Sequence, residues 1–186
     1  MRKRIAAVMV CLAIAAISIS GTMAYFTADS IATNVITSGD IDIAVVETKM
    51  QGNLEVPYSD EKVKIMPGDA ISKIVKVHNT GSNPAYVRVA VSEVIELNDG
   101  KIIGDEDDLI NWTPGSKWTY KDGYYYYNEA LAPGEKTDAL FSEVEFSAEM
   151  DNKYQKSNIT INVVANAVQS QNNGNTVFEA AGWSAE

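Results

Sequence analysis

Apolar and polar residues alternate with period two along most of the chain. Ile41, Ile43 and Val45 alternate with Asp40, Asp42 and Ala44, and Val75 and Val77 flank Lys76. Val87, Val89 and Val91 alternate with Arg88 and Ala90, and Val144, Phe146 and Ala148 with Glu143, Glu145 and Ser147. Ile159, Ile161, Val163 and Ala165 alternate with Thr160, Asn162 and Val164. Side chains on a strand point to opposite faces in turn, so each segment predicts a half-buried strand. A helix would repeat its apolar positions near every 3.6 residues instead.

Turn residues punctuate this pattern. Pro67-Gly68-Asp69 and Pro133-Gly134-Glu135 each precede a strand, with proline presetting φ and glycine free to take a positive φ, as a type II turn requires. Lys121-Asp122-Gly123 lies between Trp118-Thr119-Tyr120 and the run Tyr124–Tyr127, which predicts a hairpin. A polar stretch from Asn79 to Pro84 joins two strong strands. The pattern predicts an all-β chain of eight or so strands forming a single antiparallel β-sandwich, jelly-roll-like or immunoglobulin-like, over residues 39–186. One short helix is predicted, over residues 107–112, inside an insertion.

The N-terminus follows another rule. Arg2, Lys3 and Arg4 precede an apolar run from Ile5 to Ile19, broken by Ser18, Ser20 and Gly21. A membrane span needs about 20 apolar residues, so the run reads as the core of a cleaved secretory signal peptide over residues 1–24. Small residues at Thr22 and Ala24 place the cut between Ala24 and Tyr25. An uncleaved anchor is the competing reading. The expected destination is outside the cell, in the extracellular matrix or at the cell surface, with membrane contact only during export.

Cleavage changes the charge and the cysteine inventory. The 186-residue chain carries −10, and residues 1–24 hold three basic and no acidic side chains, so the remaining 162 residues carry −13. Nucleic acid and anionic membrane surfaces both require a basic face and are disfavoured as partners. The single cysteine, Cys11, lies in the apolar run, so core burial and strand pairing alone must hold the mature domain.

Candidate chemistry is sparse. His78 is the only histidine, and zinc hydrolase sites take two or three histidines, or cysteines, at short spacing. No H-E-x-x-H, phosphate-binding glycine loop or nucleophile–histidine–acid set independent of His78 is present, so no catalytic residue, metal ligand or cofactor is expected. Asp99, Asp105, Glu106, Asp107 and Asp108 cluster in the insertion. They offer oxygens to calcium but lack the spacing of an EF-hand loop, and read as a solvated loop. Tyr124 to Tyr127 should put two rings on each face of a strand. The outer pair is either an exposed aromatic surface or is covered within the molecule.

Four stretches carry a resemblance. AYFTADS, Asn34 and ITSGDIDI resemble the N-terminal signature of the TasA/camelysin family of exported proteins, and IMPGDAISKIVKVHNTGSNPAYVRV resembles its strand–turn core. YYYYNEALAPGEKTDALFSEVEF and ITINVVANAVQS are similar to the BsaA-type biofilm matrix branch. The resemblance implies processing by a SipW-type signal peptidase. It also implies assembly as a homopolymer, with or without a co-assembling matrix protein, in biofilm fibres. Camelysin-type members are described as metalloendopeptidases, an activity for which this chain lacks the histidines. A camelysin-like protease and a monomeric surface adhesin are the alternatives.

Residues 25–38 form the N-terminal extension. Within it Tyr25 and Phe26 are aromatic, Ile31, Val35 and Ile36 are β-formers, and Thr37-Ser38-Gly39 supplies a hinge. The segment either pairs within its own subunit or adds to a sheet edge of a neighbour, where main-chain bonds give affinity and alternate side chains fill pockets. Such a head-to-tail contact does not close and yields fibres. The resemblance implies the second.

Overall fold

Valines at alternate positions build the interior of two antiparallel sheets. The computed structural model describes residues 41–58, 63, 65–104, 108–154 and 156–183. Ten strands follow in order: β1 Ile43–Gln51, β2 Leu54–Pro57, β3 Ala70–Asn79, β4 Ala85–Glu96, β5 Ile102–Gly104, β6 Ile110–Asn111, β7 Trp118–Lys121, β8 Tyr124–Tyr127, β9 Phe141–Phe146 and β10 Asn158–Gln169. The first sheet has the order β2-β1-β3-β9-β6. The second runs β10-β4-β8-β7, with β5 pairing the far half of β4.

Both sheets feed one core. Val75, Val77, Phe141 and Val144 from the first pack with Val87, Val89, Ile95 and Tyr127 from the second. Each large apolar side chain fully buried is worth about 1.5–3 kcal/mol. The predicted alternation therefore selects the inward residues of β3, β4 and β9 correctly.

The predicted turns form as their residues require. Gly68 and Gly134 take φ of 84° and 78°, closed by bonds from Asp69 N to Met66 O and from Glu135 N to Ala132 O. In the β7–β8 hairpin both Asp122 and Gly123 have positive φ, the geometry of a type I′ turn. The polar stretch after β3 carries the chain from one sheet to the other. Asn79 is fully buried there, its amide donating to the carbonyls of Asn83 and Leu131 while its oxygen accepts from Gly81 N.

The helix expected over residues 107–112 is not formed by the described part of that stretch. Ile110 and Asn111 instead pair with Phe146 and Glu145 of β9. Ile110 is buried in the core, so a tertiary partner outweighs the weak local preference of a short acidic segment. Residues 1–40 lie outside the described residues, and with them the signal peptide, the cleavage pair Ala24 and Tyr25, and the segment residues Phe26, Ile31, Val35 and Ile36. Asp105, Glu106 and Asp107 of the acidic cluster lie outside them too.

Candidate functional site: an open seam at two strand edges

β10 is the longest edge of the molecule. It pairs with β4 residue for residue, from Asn158↔Glu96 to Gln169↔Ala85, and among the described residues with no other strand. Its sequence, NITINVVANAVQ, contains no charge and no proline. Strand edges are usually blunted by lysine, proline or shortness against pairing with another chain. The other edges here obey that rule: β2 carries Glu55 and Pro57, β7 is four residues long and ends on Lys121, and β6 has two residues.

β1 lies close to β10. It pairs with β3 over Ile43 to Thr48, but β2 covers its other side only from Thr48 to Gln51. Directly paired residues of an antiparallel ladder share a face. Val45 lies opposite Val77, which is 0% exposed, yet Val45 itself is 37% exposed. On β10 the inward Ile161, Val163 and Ala165 are half-buried, although Ala165 pairs with the fully buried Val89. Inward-facing apolar side chains on the β10 edge and on the part of β1 that β2 does not pair thus form a seam that the described chain leaves uncovered.

At the Gln51 end of β1 there is an open concavity of about 380 Å³, lined by Lys49, Met50, Tyr58, Val63, Ile71 and Ser72. Lys73 is buried beside it. Its Nζ lies 2.8 Å from Glu47 Oε2 and 4.3 Å from the Tyr58 ring centroid, and Lys49 approaches the same ring at 5.6 Å. A cation over a ring face is attracted by the ring quadrupole, the more so when desolvated. Burial, and next the Glu47 charge, raise the Tyr58 pKa above its ordinary value, so the phenol stays neutral.

The other predicted residues are accounted for differently. His78 is the penultimate residue of β3, where its Nε2 donates to Gly134 O at 3.2 Å. Among the described residues no three of His, Cys, Asp and Glu gather as metal ligands. Tyr125 and Tyr127 turn into the core, while Tyr124 and Tyr126 face outward, so two rings do lie on each face. The outer pair is covered by the molecule itself. Val177 packs on Tyr126, and Tyr126 meets Phe178 at 5.4 Å and Trp183 at 5.9 Å between ring centroids. The Arg88 guanidinium lies 3.8 Å from the Tyr124 ring centroid and 4.9 Å from that of Trp183. Asn173 fastens this C-terminal strap by donating to Ala181 O and accepting from Ala181 N.

Sequence reasoning missed Lys73 and the strap. The first shares the inward parity of Val75 and Val77 on β3, but a lysine there gives no apolar signal. The aromatic and apolar residues Val177, Phe178 and Trp183 were the available signal for the second. Comparison of the chain with protein-family models and with characterised proteins finds no match to either.

Proposed function

We propose that this protein is a secreted structural subunit whose two sheets form a β-sandwich, jelly-roll-like or immunoglobulin-like. Its subunits polymerise into extracellular biofilm matrix fibres when the segment of residues 25–37 of one subunit enters the seam of the next. The uncharged β10 edge, with half-exposed inward residues beside it, carries the reading. Eleven positions from Ile159 to Gln169 offer a ladder about as long as the 13-residue segment. Such a strand supplies main-chain bonds to the β10 edge, and Ile31 and Val35 share the face that meets the core. Each apolar side chain so buried contributes about 1.5–3 kcal/mol, from which the cost of association is subtracted. Removal of the signal peptide by a SipW-type signal peptidase releases the segment and so times assembly. The tyrosine-based adhesin reading loses its platform, since Tyr126 is buried under the strap.

The test is a mature chain that lacks residues 25–37, with Ile31→Asp/Val35→Asp as a second variant. Both should stay folded by circular dichroism and show no fibres by electron microscopy and light scattering at matched concentration. Fibres of unchanged yield from both variants would sink the proposal.

A further inference from the structure

We infer that Asn173 is a self-modification site that makes release of the C-terminal strap a one-way event. When the strap lifts, the Gly174 backbone nitrogen attacks the Asn173 side-chain amide, and the aspartate that results keeps the strap from closing again. This chemistry is separate from strand donation and needs water as its only co-reactant.

Asn173-Gly174 is the only Asn-Gly pair in the chain. Asparagine is among the thermolabile residues, and a following glycine leaves the attacking nitrogen unshielded by a side chain. The Gly174 nitrogen loses its proton to solvent base and forms a bond to Asn173 Cγ. The Cγ–Nδ2 bond breaks, ammonia leaves, and a five-membered succinimide remains. Water then opens one of the two ring carbonyls, giving aspartate or isoaspartate with no change in oxidation state.

The closed strap opposes this reaction. Asn173 Nδ2 donates to Gln169 O at 2.9 Å and to Ala181 O at 3.0 Å, and Oδ1 accepts from Ala181 N at 2.8 Å. Attack makes Cγ tetrahedral and expels Nδ2, so reaction in place must break both bonds that Nδ2 donates. The fold nevertheless imposes the labile pair. Position 173 needs a short side chain that donates twice and also accepts, which the asparagine amide supplies. Gly174 has φ of 81°, and a Cβ added there would lie 2.8 Å from Glu179 Cβ.

The strap is also a part that can lift by itself. It packs on Tyr86, Tyr126 and Val168, a cluster separate from the main core. Val177 is the only buried side chain that residues 170–183 supply, while Phe178 is 42% exposed and Trp183 half-buried. A segment with so few buried contacts opens at a lower free energy than the whole domain.

The product does not fit the closed form. An aspartate carboxylate has no donor, so it would face the carbonyls of Gln169 and Ala181 that the amide had bonded. Glu179, which accepts from Asn175 N at 2.9 Å, holds a second negative charge in the same loop. Opening then becomes permanent, and the outer rings Tyr86 and Tyr126 stay uncovered.

The test incubates the purified protein and its Trp183→Ala variant in mildly alkaline buffer, with urea-unfolded protein as the reference for the unrestrained rate. Peptide mass spectrometry reads conversion at residue 173. The unfolded reference should convert fastest, and Trp183→Ala at least tenfold faster than the native protein, the ratio given by about 1.4 kcal/mol of easier opening. Hydrogen exchange on Asn173→Asp should show protection lost at the Glu179 and Ala181 amides and kept in β3 and β9. Equal conversion of the native protein and Trp183→Ala overturns the inference. So does full strap protection in Asn173→Asp, or loss of protection in β3 and β9 together with the strap.

Discussion

The two edges of the second sheet make opposite provisions. β7 is four residues long, ends on Lys121 and turns Trp118 into the core. β10 is twelve residues long, bears no charge, and leaves Ile161, Val163 and Ala165 half-buried. Both flank the same sheet and face the same solvent, so solubility alone does not explain the difference. The molecule also covers apolar surface where it has chain to do so: the C-terminal strap closes over Tyr86 and Tyr126. Under the strand-donation proposal, the edge left open beside such provisions is the position a neighbouring subunit takes, and the comparison yields predictions of decreasing size.

Placing on the seam the kind of guard that β7 carries should have the largest effect. Val45→Lys and Val163→Lys each put an ammonium group on an inward but solvent-accessible position. The long lysine stem can still reach water in the lone subunit, whereas an inserted strand would bury its charge. We expect the critical concentration for fibres, read by light scattering, to rise by at least about 30-fold, with a thermal midpoint lowered by only a few degrees. That ratio corresponds to about 2 kcal/mol per contact.

The strap should behave in the opposite way. Trp183→Ala removes one ring from the stack over Arg88 and Tyr126. A fully buried tryptophan costs about 3–5 kcal/mol when truncated. Trp183 is half-buried, so a loss of about 1–3 kcal/mol is expected by urea denaturation. Fibre yield per folded subunit should stay unchanged. A fibre defect larger than the loss of folded protein would show that the two regions are not independent.

The smallest effect is acid sensitivity near β8. Asp138 lies below the ordinary carboxylate range because Lys117 Nζ bonds it at 3.0 Å, and next because Tyr127 donates its hydroxyl. A depressed carboxyl stabilises the fold above its unfolded pKa of about 3.9, and that share is lost as pH falls through the lower folded value. The group is exposed, so the effect is modest. Thermal midpoints between pH 5 and pH 2 should fall slightly more steeply for the native chain than for Asp138→Asn.

How much of this was legible in the sequence varies by element. β3, β4, β9 and β10 were readable because each has one face on the core, so burial imposes period two on the residues themselves. The β7–β8 hairpin was readable because Asp-Gly fits positive φ at two successive positions. β2, β5 and β6 were not, since two to four residues are too few for a period. β6 was assigned to a helix because only its partner, Phe146, decides the matter. The seam was half legible. An uncharged strand over residues 159–168 can be seen, but that its second flank lacks a neighbour is a property of topology. Lys73 was hidden for the same reason, since its burial depends on Glu47 and Tyr58, which come from other strands.

The pairing of β10 with β4 also sets a clock. Asn158 pairs with Glu96, 62 residues earlier, and contacts so distant along the chain form slowly, because a long loop must close before they reward it. One wall of the seam comes from β1, the first described strand, and the other from β10, the last. The seam therefore does not exist until the last described strand has docked. Under the strand-donation proposal, a subunit would become able to receive a neighbour only after its final strand has arrived and docked, which would keep half-made chains out of the polymer.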